Sequence, residues 1–409
     1  MKYSVLTNPR AKSLSVLTED FDQIASYFRD IIRDRSWSAL PGGVIDTFVP
    51  SSGDYARISL EADDFRGYRL DSEDYLAAEK AVIARALEVI EGRPLQDADF
   101  TLCPSVSMGS LFTLLAMKRK NVRTMVAELP AYFGSVEQAM VLDINTLLWP
   151  TLPNEAYSMT LGDVRYIRES LEGPILLLMT QPRYAMGHLR SAEFFARIRD
   201  QLREGDVLAI DEAADQSTPA LLGQIDHDGP VQVIRLRGLT KGLGLNSARV
   251  AAIFHPHDWR SELGEIVDYA GGNLDSASLK VVTTLCANPQ KYVDLLQAAK
   301  RYVHDQRRKL ESLLRGLPIF LSALESGYIG TAHVPFANSG AGFSEQRLRF
   351  LEICKDERMP VVLGSSMYFP YDFRGEIFRI NYFTPNENIE HSAVSISKVL
   401  KRFSVPKLG

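Results

Sequence analysis

VQVIRLRGLTKGLGLNSARVAAIF, residues 231–254, sets one lysine and one arginine between two apolar runs. Val231, Val233, Ile234 and Leu236 read as a strand, a glycine-rich turn carries Lys241, and a second apolar run follows Arg249. A lysine among glycines serves two chemistries. A nucleotide-phosphate loop needs a Ser or Thr directly after the lysine and a glycine five residues before the Gly-Lys pair. Here Thr240 precedes Lys241 and Gly242 follows it, which excludes that loop. A Schiff-base lysine needs rigid backbone and a fixed cation for the phosphate of its aldehyde cofactor, and this stretch offers both. A solvated turn lysine is the remaining reading, and the rest of the chain has to decide.

The 409 residues can bury a large core and suggest two or three structural units. With 45% hydrophobic and 24% charged residues the composition is that of a soluble globular protein. A net charge of -5 argues against nucleic acid or an anionic membrane as partner. Cys103, Cys286 and Cys354 are far apart and odd in number, which argues against a disulfide framework and a zinc site. The N-terminus lacks the apolar core of a signal peptide, and no apolar run approaches the ~18 residues of a membrane span. The cytoplasm is the expected location.

From the N-terminus, an amphipathic helix is expected over roughly Asp20 to Arg35 and a second from near Ser72 to Gly92. From Phe100 short apolar strands alternate with helices: FTLCP, a helix from about Ser107 to Lys118, TMVAEL, ILLLM at 175–179, a helix from Ser191 to about Glu204, and VLAID at 207–211. Strands buried on both faces read as continuous apolar runs, and helices between them imply a mainly parallel sheet. Ligands in such sheets sit beyond the carboxyl ends of the strands.

The polar residues gather at those ends. Ser105, Ser107 and Gly109 start a helix, where free N–H groups and the dipole hold a phosphate, or where a serine simply caps. Tyr132 follows TMVAEL and either stacks on a flat heterocycle or joins the core. Tyr184 follows ILLLM in the loop TQPRYAMG. Asp211 ends VLAID, and a buried carboxylate there either meets a cation or caps a loop. With Lys241 and Arg249 these make the parts list of a pyridoxal 5'-phosphate site: phosphate cradle, stacking ring, acid for the pyridine nitrogen, amine and phosphate arginine.

The chain resembles the class I/II aminotransferases, the fold type I pyridoxal phosphate enzymes, from about residue 40 to 400. Arg249 follows Lys241 by eight positions and Asp211 precedes it by thirty, as in that family. VLAIDEA is similar to the family's strand ending in Asp, ELPAYFGSVEQAMVLD to its segment with the stacking aromatic, here Tyr132. GEIFRINYFTPNENIEHS is similar to the segment whose arginine, here Arg379, grips the substrate carboxylate, and GYRLDSEDYLAAEKAV to the one whose tyrosine, here Tyr68, reaches the partner subunit's phosphate. The resemblance implies an α/β fold with a three-layer, mainly parallel large domain over 61–285 and a smaller α+β domain from 1–60 plus 286–409. It implies a homodimer and an amino acid substrate, with Ser107 and Met108 near the phosphate and a Lys241 amine whose pKa is lowered towards neutrality.

Departures from the family pattern bear on the reaction. The loop that usually reads Asn-Pro-x-Asn-Pro-Thr-Gly is here Gln181 to Gly187, with Tyr184 at the asparagine that contacts the cofactor's phenolic oxygen. Ala214 stands where a second donor to that oxygen is usual, and Gly238 replaces a serine whose phosphate contact would pass to Arg237 or Thr240. Such departures accompany elimination, replacement, cyclisation or oxidation as well as transamination. Arg183, His188, Tyr368 and Tyr371 are the candidates to face the substrate side chain. A pyridoxal phosphate-binding regulator would need a DNA-reading segment, and none precedes residue 60.

Overall fold

A computed structural model describes residues 3–11, 14–17, 26–33, 76–96, 99–271, 274–336, 342–372 and 374–404. Eight strands form the main sheet, in the order β1-β5-β4-β6-β7-β8-β9-β3. They are β1 (Tyr3–Val5), β3 (Phe100–Cys103), β4 (Thr124–Glu128), β5 (Asn145–Trp149), β6 (Ile175–Thr180), β7 (Val207–Glu212), β8 (Gln232–Gly238) and β9 (Ala251–Phe254). β1, β5, β4, β6, β7 and β8 pair in parallel, whereas β9 runs antiparallel to both β8 and β3. The fold is the expected α/β type, with two strands the sequence reading did not identify, β5 and β1.

Alternate residues of the strands face opposite layers, as the pleat requires. Met125, Leu176, Leu178, Val207 and Ala209 pack with helices α2 (Val106–Arg119) and α3 (Phe133–Val141). Val126, Ile175, Leu177, Leu208 and Ile210 pack with α4 (Leu161–Ser170) and α5 (Ala192–Arg199) on the other face. This is why the strands read as continuous apolar runs. The helices start on side-chain caps: Ser105 accepts from the Met108 amide, Thr160 forms a capping box with Asp163, and Ser191 accepts from the Phe194 amide.

A third cluster joins α1 (Ala77–Glu91), α6 (Ser276–Cys286) and the 25-residue α7 (Pro289–Leu313) to the C-terminal part of the chain. Asn288 caps α7 and Pro289 opens it, so α6 and α7 are separate helices. Beyond α7, an antiparallel sheet of β10 (Phe320–Leu321), β11 (Ile329–Pro335) and β13 (Gly375–Asn381) is covered by α8 (Phe343–Asp356) and α9 (Asn386–Ser404). Ser15–Val16, β2, pairs with Pro370–Tyr371, β12, of this part. Tyr3–Val5 differs from the expected division at residue 60: its backbone pairs with Thr146–Leu148, on the open edge of the main sheet. Of the expected first helix the described residues include Arg29–Arg33. The second is described from Ala77 and ends with Gly92 at the C-cap.

Candidate active site

Five segments bring their side chains to one place because five strands of like direction end at one edge of the sheet. β3 leads into the start of α2, β4 into Tyr132, β6 into Tyr184, β7 ends on Asp211 and Glu212, and β8 leads into the turn of Lys241. Ser107, Tyr132, Tyr184, Asp211 and Lys241 all line one cleft of about 620 Å³. Ser135, Arg183, Ala214 and the segment Ser326–Ile329 also belong to its wall.

The Lys241 ammonium lies 5.8 Å from the centre of the Tyr132 ring, and that ring is 6.1 Å from the ring of Tyr184. Asp211 accepts the Ala213 amide at 2.8 Å through Oδ1. Burial pushes its carboxyl above the usual range, while Lys241 and the Ala213 amide pull it back. Lys241 is raised as well. Tyr328 contributes most, burial opposes it, and Asp211, Tyr132 and Tyr184 add to it. In the chain by itself Tyr328, Asp211, Tyr132 and Tyr184 together outweigh the desolvation, whereas the lowered pKa expected from sequence belongs to the lysine freed from a bound cofactor.

Arg379, on β13, donates to the Tyr184 hydroxyl, and burial raises the Tyr184 pKa against the pull of Arg379 and Lys241. Arg379 Nε is itself buried and has no hydrogen-bond partner among the described residues, and Arg379 is not among the residues that line the cleft.

Other expected contacts lie elsewhere. The Thr240 hydroxyl donates to the Ala248 carbonyl, and the Met108 amide is spent on the Ser105 cap at 3.1 Å, so neither residue lines the cleft. The Arg249 side chain is exposed and its amide donates to Ser278 Oγ at 3.1 Å. Arg237 is buried among Glu91, Glu212 and Asp215, at 3.7, 4.0 and 3.5 Å, and is committed to them. Gly238 has a packing reason: a Cβ there would stand 2.3 Å from the Ala213 carbonyl oxygen. Tyr68 lies outside the described residues.

Of the candidates for the substrate side chain, Arg183 reaches the cleft wall but is buried, donating to the Tyr157 and Pro130 carbonyls beside Glu128. Its pKa is pushed down to about 10 by burial. His188 pairs with Glu325 at 3.6 Å, the Tyr371 hydroxyl donates to Glu376 at 2.6 Å, and Tyr368 packs on Tyr3. Tyr328 and Ser326 were not singled out in the sequence. The only signal was an aromatic among glycines, SGYIG, just ahead of a strand.

The residues present fit pyridoxal phosphate at its ring end: an acid, an amine and an aromatic face. Val106 and Ser107, at the start of α2, and Ser135 line the same cleft.

The architecture is the aminotransferase fold. An aspartate aminotransferase from Rhizobium meliloti superposes with a TM-score of 0.74 at 14% identity, covering 97% of this chain and 98% of that one. A probable N-succinyldiaminopimelate aminotransferase from Thermus thermophilus gives 0.69 at 17% identity over 93% and 100%. An Escherichia coli protein with methionine aminotransferase function gives 0.71 at 14% identity over 94% and 98%. No family model and no curated protein matches the sequence. Among the described residues no helix is long and apolar enough to cross a membrane.

Proposed function

We propose that the chain is a pyridoxal 5'-phosphate-dependent enzyme acting at the alpha carbon of an amino acid, an aminotransferase that passes the amino group to a 2-oxo acid. The observation that carries this reading is the meeting of Lys241, Asp211 and Tyr132 in one cleft at the carboxyl edge of the sheet. When bound, the cofactor supplies an aldehyde for amines and an electron sink for a bond broken at the alpha carbon.

Asp211 would pair with the ring nitrogen, since a buried carboxylate with one amide partner favours a cation. Tyr132 would lie against the ring face. The Lys241 amine would bond the aldehyde and, once displaced by substrate, hold and move the alpha proton. Arg379 would clamp the substrate carboxylate, steadied by Tyr184. Ser107 and the start of α2 would take the phosphate. Arg249 is assigned to the phosphate on its spacing from Lys241 alone, and Tyr68 to the phosphate of a partner subunit in a homodimer. Residues 61–285 would carry the cofactor, residues 286–409 with most of 1–60 would present Arg379, and the enzyme would work in the cytoplasm.

One observation favours a second outcome at the same carbon. Ala214 offers no donor to the cofactor's phenolic oxygen and Tyr184 stands in for an asparagine, which suits elimination, replacement, cyclisation or oxidation. Absorbance of the protein reconstituted with pyridoxal phosphate, before and after a panel of amino acids, tests both readings. A visible band lost in Lys241→Ala, with release of a 2-oxo acid, is expected for the first. A band that responds to substrate without transfer of the amino group points to the second. Identical spectra for the two proteins contradict both.

A further inference from the structure

We propose that Glu325–Tyr328 is a strap that delivers a phenol from the C-terminal part of the chain to the Lys241 amine, in the wall space left by Ala214. Tyr328 is then a positioning residue for that amine. The proposal rests on the reading above only for the role it gives Lys241.

The strap is tied on both sides. The Glu325 and Ser326 amides donate to the Gly187 carbonyl at 2.9 and 3.2 Å. The Ser326 hydroxyl donates to Asp215 Oδ1 and accepts the Gln216 amide, both at 2.9 Å. Gln216 Nε2 in turn donates at 2.7 Å to the carbonyl of Gly242, the residue after the lysine. Asp215 is itself fixed, accepting the Ser217 amide and hydroxyl at 3.0 and 2.7 Å. A displacement of the strap would therefore be felt at the lysine turn.

At its narrowest point the strap is Gly327, with φ +77°. A Cβ there would come 3.2 Å from Pro182 Cγ, 3.6 Å from the Ala214 carbonyl oxygen and 3.8 Å from the Ala214 Cβ. The small residue at 214 and the glycine at 327 thus lie against each other, and a large side chain at 214 would compete with the strap for space.

Tyr328, next along, is 0% exposed and packs edge-on against Phe383 with ring centres 5.9 Å apart. Its hydroxyl donates to Asn246 Oδ1 at 3.2 Å, and Asn246 Nδ2 donates to the Gly244 carbonyl on the lysine turn at 3.2 Å. Lys241 shares its cleft with Asp211 from β7, Tyr132 from the start of α3, Tyr184 from the loop after β6 and Tyr328 from the strap. Arg379 faces Tyr184 and Tyr328 from β13. Among the groups that favour the charged amine, Tyr328 contributes most. A plain core aromatic at 328 would leave the amine indifferent to the loss of one oxygen atom.

The test uses the full chain without cofactor. The rate of reductive methylation of Lys241 is followed against pH, by mass spectrometry of its peptide, in the wild type, Tyr328→Phe and Asn246→Ala, with exposed Lys401 as internal control. In Tyr328→Phe the profile should move to lower pH, so that below the amine pKa Lys241 labels about threefold to tenfold faster, a shift of up to about one unit. Asn246→Ala should move it the same way by less. Coincident Lys241 profiles in the wild type and Tyr328→Phe would overturn the proposal. Should Tyr328→Phe fail to fold by circular dichroism, Asn246→Ala decides by the same criterion. The readout needs no cofactor, so failure of the cofactor reading and failure of the strap are separable.

Discussion

Asp211 and Glu212 are neighbours in β7, both buried, yet they point to opposite faces and meet opposite surroundings. Asp211 faces the cleft, where one amide and Lys241 are its company. Glu212 faces a closed cluster in which Arg235 Nε donates to it at 2.8 Å and the same guanidinium reaches Glu91 at 2.6 Å. Burial pushes Glu212 up to about 7 even against Arg235 and Arg237. The contrast teaches that burial of a charge does not mark function by itself. A buried acid supplied with fixed cations builds the fold, whereas one left without them creates a demand that a ligand can meet.

Exchanging the two acids for amides should separate these roles. Asp211→Asn should lower turnover by about a thousandfold, on the order of 4 kcal/mol at the transition state, with little change in melting temperature. Activity within tenfold of wild type would erase the contrast. Glu212→Gln should do the reverse, costing roughly 3–5 kcal/mol of stability by leaving Arg235 and Arg237 short of a counter-charge, while the cofactor band survives. Denaturant titration reads this loss, and an unchanged midpoint would show that the cluster is not structural.

Smaller effects sharpen the picture. Tyr184→Phe removes one hydrogen bond to Arg379, so KM for the amino acid should rise several-fold, about 1 kcal/mol, with kcat less affected. A fall in kcat alone would place Tyr184 on the chemistry instead. His255, the residue after β9 and not part of the cleft lining, bonds Thr101 of β3 at 3.0 Å and is pushed down to about 4 by burial. The unfolded chain takes up that proton near pH 6.5 and the folded chain only near 4, so stability is lost as pH falls through this window. His255→Gln should flatten that loss by about 1 kcal/mol near pH 5.5, measured by urea unfolding at several pH values.

Much of the main sheet was legible because strands covered on both faces carry unbroken apolar runs, and because the lysine, acid and tyrosine stand at strand ends. The edge was not. Tyr3–Val5 is three residues long and pairs with a strand some 140 residues away, so nothing local marks it. Arg235 and Arg237 alternate with apolar residues as a solvent-facing row would, and Glu91, from the end of α1, together with Glu212 and Asp215, makes their burial possible. Tyr328 has no fixed spacing from Lys241. Its place depends on the latches at Gly187, Asp215 and Gln216, which are tertiary contacts. Arg249 shows the converse, a spacing that matches the family while its side chain is exposed on this chain and does not line the cleft.

The most direct measurement is borohydride reduction of the protein with pyridoxal phosphate, followed by peptide mass mapping. The account predicts one stable adduct, on Lys241, and its absence in Lys241→Ala. An adduct spread over other lysines, or none on Lys241, would contradict the claim that this turn carries the cofactor.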